Sequence, residues 1–302
     1  MDKYFCTVFT PTYNRAKLLV NLYESLVAQT EKDFEWVIVD DGSSDNTETV
    51  VSEFINQNKL NIVYYKQENG GKHRAINKGV ELSSGHVFAI VDSDDTLTVD
   101  SIEKVKRWFG EIENVGKRFC GVAGNKGYSE KQIIGTSFKG DYIDASNIER
   151  KRNNITGDKF EVFYTDVIKK YPFPTFEGEN FMSEIVVWTR MAKDGYILRW
   201  FNDIVYVAEY QETGLTTNNF KILANNPKGY ALRIREQIEY AELSLKEKMG
   251  YYSNYYYLLK GRKTFKEIKK DINASSIGLR TSILLRKILL LIRREKNEYE
   301  NI

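Results

Sequence analysis

Three aspartates, Asp92, Asp94 and Asp95, follow directly on an apolar run, VFAIV, that reads as a buried strand. Carboxylates crowded in this way repel one another and resist ionisation unless a cation neutralises them. Oxygen-only donors suit Mg2+ or Mn2+, ions that keep several waters and reach onward to substrate phosphates. The competing reading is helix capping, because Asp94 or Asp95 could open the helix that carries Ile102, Val105 and Trp108. Two further polar clusters tip the balance toward a metal. Asp40 and Asp41 end a second apolar run and lead into GSSD, where Asp45 suits an N-cap. A carboxylate at a strand end can accept hydrogen bonds from a base N–H or a ribose hydroxyl. Pro11, Thr12, Tyr13 and Asn14 follow a third run, and the Tyr13 ring could stack on a base.

Other chemistries lack material. The 302 residues contain two histidines, His73 and His86, and two cysteines, Cys6 and Cys120. Their scatter excludes a structural zinc site, which needs four ligands at close spacing, and it excludes a disulfide framework. A reducing compartment fits that composition. Any nucleophile–His–Asp arrangement would rest on one of the two histidines. His86 opens a strand and reads as structural, whereas His73 stands at a helix start near the expected phosphates. No G-x-G-x-x-G or G-x-x-x-x-G-K-[ST] follows a strand, which removes dinucleotide oxidoreductases and P-loop phosphotransferases.

The clusters need elements that bring them together. Strand patterns at 4–10, 34–40, 61–65 and 87–92 alternate with helical patterns at 16–28, around Val50, Val51 and Phe54, and at 73–82. Such alternation means βαβ units, an α/β fold and a mostly parallel sheet flanked by helices. Open sheets of this kind bind ligands at the carboxyl ends of their strands, where TPTYNR, DDGSSD and DSDD all fall. Further on, 119–125 reads as a strand and 183–193 as a helix. Residues 197–201 and 204–210 read as a strand pair around Asn202 and Asp203. From about Asn219 the pattern is helical, with breaks near Gly250, Gly261 and Ser275.

Taken in order, VFTPTYNR, WVIVDDGSSDNT, ENGGKHRAINKG and AIVDSDD resemble the nucleotide-sugar-binding half of family-2 glycosyltransferases of the GT-A fold. The resemblance resumes at SEIVVWTRMAKDGY. It implies that Pro11, Thr12, Tyr13 and Asp41 hold the nucleobase end of a UDP-sugar. It also implies that Lys72, Asn77, Asp92 and Ser93 line the donor, and that Asp94, with Asp92 and Asp95, binds the metal. Isoleucine at position 76 stands where relatives often carry arginine, so Lys72, His73 or Arg74 is expected to supply the charge. The family's inverting mechanism needs a carboxylate to take the acceptor's proton. Glu184, six residues before Arg190 with Trp188 between, is the expected base; Glu179 and Glu177 are the alternatives. The processive signature Q-x-x-R-W is absent, which favours addition of a single sugar. Residues 210–218 suit a loop over the site. A sugar nucleotidyltransferase and a non-catalytic module that binds nucleotide sugars or glycans are the competing classes; the first wants a Gly-rich N-terminal loop that TPTYNR does not resemble.

The charge is unevenly spread. Of 44 basic and 42 acidic residues, 17 and 9 fall from Lys228 onward, so that part carries +8 and the rest −6. The expected division is a catalytic domain at 1–218 (nucleotide-sugar binding to about 120, acceptor and base beyond) and a basic helical region at 219–302. Within the latter, 276–296 pairs many leucines and isoleucines with Arg280, Lys287 and Arg294 at seven-residue intervals, and with Arg286 and Arg293 beside them. A helix of that kind is expected to lie on an anionic membrane surface; docking on the catalytic domain or pairing in a homo-oligomer is the alternative. The start of the chain lacks a signal peptide pattern and no apolar run is long enough to span a bilayer. The expected location is the cytoplasm, peripheral on the inner face of the cell membrane, with a lipid-linked glycan as acceptor. No recognition motif points to nucleic acid.

Overall fold

The computed structural model describes residues 2–209 and 219–299, so the loop expected at 210–218 lies outside the described residues. The first part alternates β1 (Tyr4–Thr12), α1 (Ala16–Val27), β2 (Phe34–Asp40), α2 (Thr47–Gln57), β3 (Ile62–Lys66), α3 (Lys72–Leu82) and β4 (Gly85–Ile90). Then come β5 (Thr96–Leu97), α4 (Ser101–Ile112), β6 (Phe119–Ser129), β7 (Gln132–Ile133), β8 (Tyr142–Ala145) and β9 (Lys159–Tyr164). A single turn, α5 (Thr165–Ile168), precedes α6 (Ile185–Lys193) and β10 (Ile197–Val207). Five helices follow: α7 (Asn219–Asn225), α8 (Pro227–Tyr240), α9 (Leu245–Leu259), α10 (Phe265–Asp271) and α11 (Ser276–Tyr299).

The strands form one sheet in the order β3-β2-β1-β4-β9-β6-β10-β5, with β7 on β6 and β8 on β10. The β3-β2-β1-β4 half is parallel. Every residue of β2 is buried, as a strand covered on both faces must be. Leu19 and Leu22 of α1, Phe54 of α2 and Trp108 of α4 cover one face. Ile76 of α3 and Val187 and Trp188 of α6 cover the other. Those two helices on the second face begin at Lys72 and just after Glu184. A third apolar cluster, with Ile234, Tyr255, Ile268 and Leu279, joins α8 to the helices after it. Arg190 of α6 clamps Glu236 of α8 through three contacts of 2.6–3.1 Å, which ties that cluster to the sheet layer.

Three sequence expectations need correction, and one competing reading falls. Strand β9 runs antiparallel between β4 and β6, so the sheet is mixed, and no periodicity announces that reversal. The supposed strand pair around Asn202 is one strand, β10, which stays beside β6 through register shifts between Trp200 and Ile204. There the Asn202 side-chain amide donates to the carbonyls of Phe138 and Gly140, and the Asn202 backbone carbonyl accepts from the Asn125 side chain; these bonds replace the interrupted ladder. Gly250 lies inside α9, and the break comes earlier, between Tyr240 and Leu245. Finally, α4 begins at Ser101 with Asp100 at its N-cap position, so neither Asp94 nor Asp95 caps it.

Candidate active site

Strands β1 and β2 end side by side, with Thr12 opposite Asp40. Asn14 adopts a left-handed backbone (φ 53°) and stitches the two following loops together. Its Oδ1 accepts from the Ser44 and Asp45 amides at 2.8 and 3.3 Å, and its own amide donates to the Ser43 hydroxyl at 2.8 Å. That seam leaves the Tyr13 ring 50% exposed above buried Pro11 and Thr12. The Thr12 hydroxyl is buried without a partner, which at a strand end marks a place where a ligand group fits.

The two aspartates after β2 are largely occupied. Asp40 accepts from the Ser43 amide and the Tyr64 hydroxyl, both at 2.7 Å. Asp41 accepts from the Gln67 side chain at 2.7 Å, the Gly70 amide at 2.9 Å and the Gly71 amide at 2.7 Å. A carboxylate offers about four lone-pair sites, so Asp41 keeps about one for a nucleobase. Its larger task is to fasten the turn before α3. Gly71 holds φ +95°, and a Cβ there would lie 1.8 Å from the Asn180 carbonyl oxygen, so only glycine allows this approach. The pinned turn delivers Lys72, the first residue of α3, to the end of β4.

Lys72 is the centre of the site. Its Nζ lies 2.7 Å from Asp92 Oδ1 and 2.9 Å from Glu184 Oε1, joining the aspartate loop to the N-cap position of α6. Burial disfavours its charge, but Asp92 and then Glu184 more than compensate and raise its pKa. Burial likewise works against an ionised Asp92, yet Lys72 and Lys126 hold its carboxyl below the ordinary value. Asp94 shifts the other way, pushed up by burial and then by the charge of Asp92. Asp95 is a structural residue. Its Oδ2 accepts from the Tyr206 hydroxyl at 2.5 Å and its Oδ1 from the Glu209 amide at 2.8 Å, while burial pushes its pKa up to about 6. Tyr206 Oη also accepts from the Asp92 amide at 3.1 Å, fixing the loop to β10. Ser93 is buried between these aspartates.

The donor set fits a hard divalent ion in a limited way. Asp92 and Asp94 are oxygen donors whose mutual repulsion a cation would relieve; Asp95 already accepts one bond at each oxygen, from Tyr206 and Glu209, and so has fewer lone pairs free for the ligand set expected for it. Among the described residues no group of three or more His, Cys, Asp or Glu side chains forms a metal cage. Two carboxylates with waters and substrate phosphates is the arrangement Mg2+ and Mn2+ accept.

Several expected site residues do other work. Asn77 pairs both ways with the Phe173 backbone, donating at 3.0 Å and accepting at 2.8 Å, so it anchors 171–173 rather than lining the donor. Glu179 accepts from the Lys228 and Gly229 amides at 2.7 and 2.8 Å and so caps the start of α8, which removes it as a base. Glu177 is exposed, with only its backbone carbonyl in contact with Lys228. Arg74 binds the carbonyls of Gly70 and Phe176, and buried His73 has its pKa pushed down to about 4, first by burial and then by Arg74. Lys72 is therefore the cation the loop supplies. Glu179→Ala would strand two buried amides, a loss of about 1–3 kcal/mol. The expected result is a lower urea midpoint with nucleotide affinity unchanged.

Sequence reading missed Tyr206, Lys126 and Glu161. Val162 of β9 pairs with Ala89 of β4, which sets Glu161 beside the strand end that leads to Asp92. Burial pushes the Glu161 carboxyl up against the opposing charges of Arg150 and Lys126, and the charge of Glu184 pushes the same way. A lone glutamate inside the apolar run KFEVFY was the available signal. Nothing local marks Tyr206 or Lys126.

With this geometry in hand, comparison with known proteins is informative. A family model described as glycosyl transferase family 2 matches residues 7–171, a span that ends before Glu184. An uncharacterized glycosyltransferase of Mycoplasma genitalium is 38% identical over 129 residues, 41% of this chain. The chain spans only 43% of that protein's length, and 32% and 30% of two further curated relatives. The GalNAc(5)-diNAcBac-PP-undecaprenol beta-1,3-glucosyltransferase of Campylobacter jejuni is 26% identical over 95% of this chain and 93% of its own. Among solved structures, S. aureus TarS 1-349 in complex with UDP-GlcNAc superposes with a TM-score of 0.63 at 18% identity. That match covers 89% of this chain and 78% of TarS 1-349, a likeness of fold. Since the family model takes in more than half of the residues, including the strand ends that build the site, this chain belongs to glycosyl transferase family 2.

Proposed function

We propose that the chain is an inverting glycosyltransferase that moves one sugar from a UDP-sugar to a hydroxyl of a lipid-linked glycan in surface polysaccharide synthesis, working at the inner face of the cell membrane. The carrying observation is the Lys72 ammonium, which holds Asp92 and Glu184 within one contact of each other. Groups suited to a leaving diphosphate and to an attacking hydroxyl thus share one cleft. Tyr13 stacks on the base, the Thr12 hydroxyl and the free lone pair of Asp41 take its polar edge, and Lys72 faces the diphosphate. Asp92 and Asp94 would hold Mn2+ or Mg2+, which when bound supplies positive charge to the leaving group. Glu184 takes the proton from the acceptor hydroxyl as its oxygen bonds to the anomeric carbon and the bond to the diphosphate oxygen breaks. Attack opposite the leaving group inverts the anomeric centre. The UDP-GlcNAc bound to TarS supports the nucleotide, and the undecaprenol-linked acceptor named for the Campylobacter relative supports the lipid carrier.

A panel of nucleotide sugars with Mn2+ or Mg2+, offered with an undecaprenyl-diphosphate-linked glycan and scored for UDP release and product, tests this reading. Diphosphate release from UTP and a sugar phosphate would mark a nucleotidyltransferase instead. UDP binding without turnover on any acceptor would mark a binding module. Within the reading, Tyr13→Ala removes a stacking surface worth about 1–3 kcal/mol per base. UDP affinity by calorimetry is expected to fall at least about fivefold, with the unfolding temperature unmoved because the ring is half-exposed.

A further inference from the structure

We infer that the outward face of α11 is a lipid-docking surface, which seats the protein flat on an anionic bilayer. As far as Arg286 the helix has two unlike sides. Leu279 and Ser282 are buried, Ile283 is partly so, and Arg286 turns inward to bond Asn254 and cover the Tyr257 ring at 4.9 Å. Arg286 therefore belongs to the packed side and not to the basic stripe read from the sequence. At 3.6 residues per turn, Ile277, Leu284, Leu285, Ile288, Leu291 and Ile292 share the opposite side. These six are 42–80% exposed, an apolar face larger than scattered surface leucines would explain.

Charge decides what covers it. Arg280 and Lys287, one heptad apart, border the apolar face along one edge, and both are exposed. No Asp or Glu occurs between Asp271 and Glu295, while five Arg and Lys do. A second copy meeting this face would bring the same positive edge, with no acidic residue on the helix before Glu295. A bilayer with acidic headgroups offers both an apolar layer and the opposite charge. No helix among the described residues is long and apolar enough to cross a membrane, so α11 would lie along the surface. The inference deepens the membrane-side reading above but is independent of the chemistry of Glu184 and Asp92.

The test is flotation of the full chain with phosphatidylcholine vesicles, with and without phosphatidylglycerol, alongside sedimentation velocity of the free protein. Binding to the phosphatidylglycerol vesicles, reversed by high salt, is the expected result. L284D with L291D, both at exposed positions, is expected to weaken binding at least tenfold with the circular dichroism melt unchanged. R280Q with K287Q should weaken it several-fold on phosphatidylglycerol alone. Wild-type vesicle binding by L284D/L291D, or no binding to either vesicle, overturns the inference. A dimer that L284D/L291D dissolves, without vesicle binding, assigns the face to a second copy and overturns it too. UDP release by donor hydrolysis, measured without vesicles, keeps failure of the enzyme reading separate from failure of this one.

Discussion

Glu184→Gln is expected to lower sugar transfer by about 10²–10⁴-fold, the usual worth of a positioned general base. The amide keeps the size of the side chain and removes only its ability to take a proton. The fold should not notice, because α6 uses the backbone carbonyl of Glu184, which accepts from the Val187 and Trp188 amides at 3.0 and 3.2 Å. Lys72 keeps Asp92 as a partner at 2.7 Å, so UDP affinity should stay within a few-fold of wild type. The pattern to look for is a collapse of kcat with nucleotide binding and melting temperature preserved. Transfer within a few-fold of wild type would move the base to Glu161, a buried glutamate whose carboxyl feels the charge of Glu184. Glu161→Gln would then carry the loss.

The second large effect separates two adjacent aspartates. Asp94→Asn removes a carboxylate that makes no side-chain bond to another residue among the described residues and lies under the repulsion of Asp92. Its melting temperature is expected to hold or rise, while Mn2+-dependent UDP binding falls about tenfold to a hundredfold, the range for losing one charge-assisted contact. Asp95→Asn is expected to do the reverse. It weakens bonds from Tyr206 and Glu209 to a charged acceptor, worth about 1.5–3 kcal/mol each, and so lowers stability first. Calorimetry of UDP binding with and without Mn2+, set beside thermal melts, reads both. Equal losses of binding in the two variants, with equal melts, would return Asp95 to the metal and sink the division of labour.

Much of this was legible where local pattern and chemistry coincide. The parallel βαβ half and the three loops at its strand ends follow from apolar runs, turn residues and spacing, whereas Glu184 was singled out by the family resemblance. Two of the failures share one physical cause: a polar side chain bonded to backbone far along the chain. Asn77 meets Phe173 across 96 residues, and Glu179 meets Lys228 across 49. Neither bond leaves a trace in periodicity, and each converts a plausible ligand residue into a tie. Strand β10 misled for a related reason, since Asn202 and Asp203 read as a turn until the carbonyls that bind Asn202 are known. Arg286 looked like one of a surface stripe because sequence shows spacing but not which side a neighbouring helix covers.

The Asp41 cradle carries a consequence for changing what this protein uses. On the proposed reading, one carboxylate both takes the nucleobase edge and grips the two glycine amides that set Lys72 in place. Selection of the nucleotide and the machinery of group transfer are therefore not separable modules at this residue. A substitution made there to admit another base also shifts the lysine that holds Asp92 and Glu184. On that reading, redesign of donor choice has most room at Tyr13 and Thr12, whose side chains make no hydrogen bond among the described residues, and a lineage that kept its catalytic rate while changing nucleotide would have worked through those positions first.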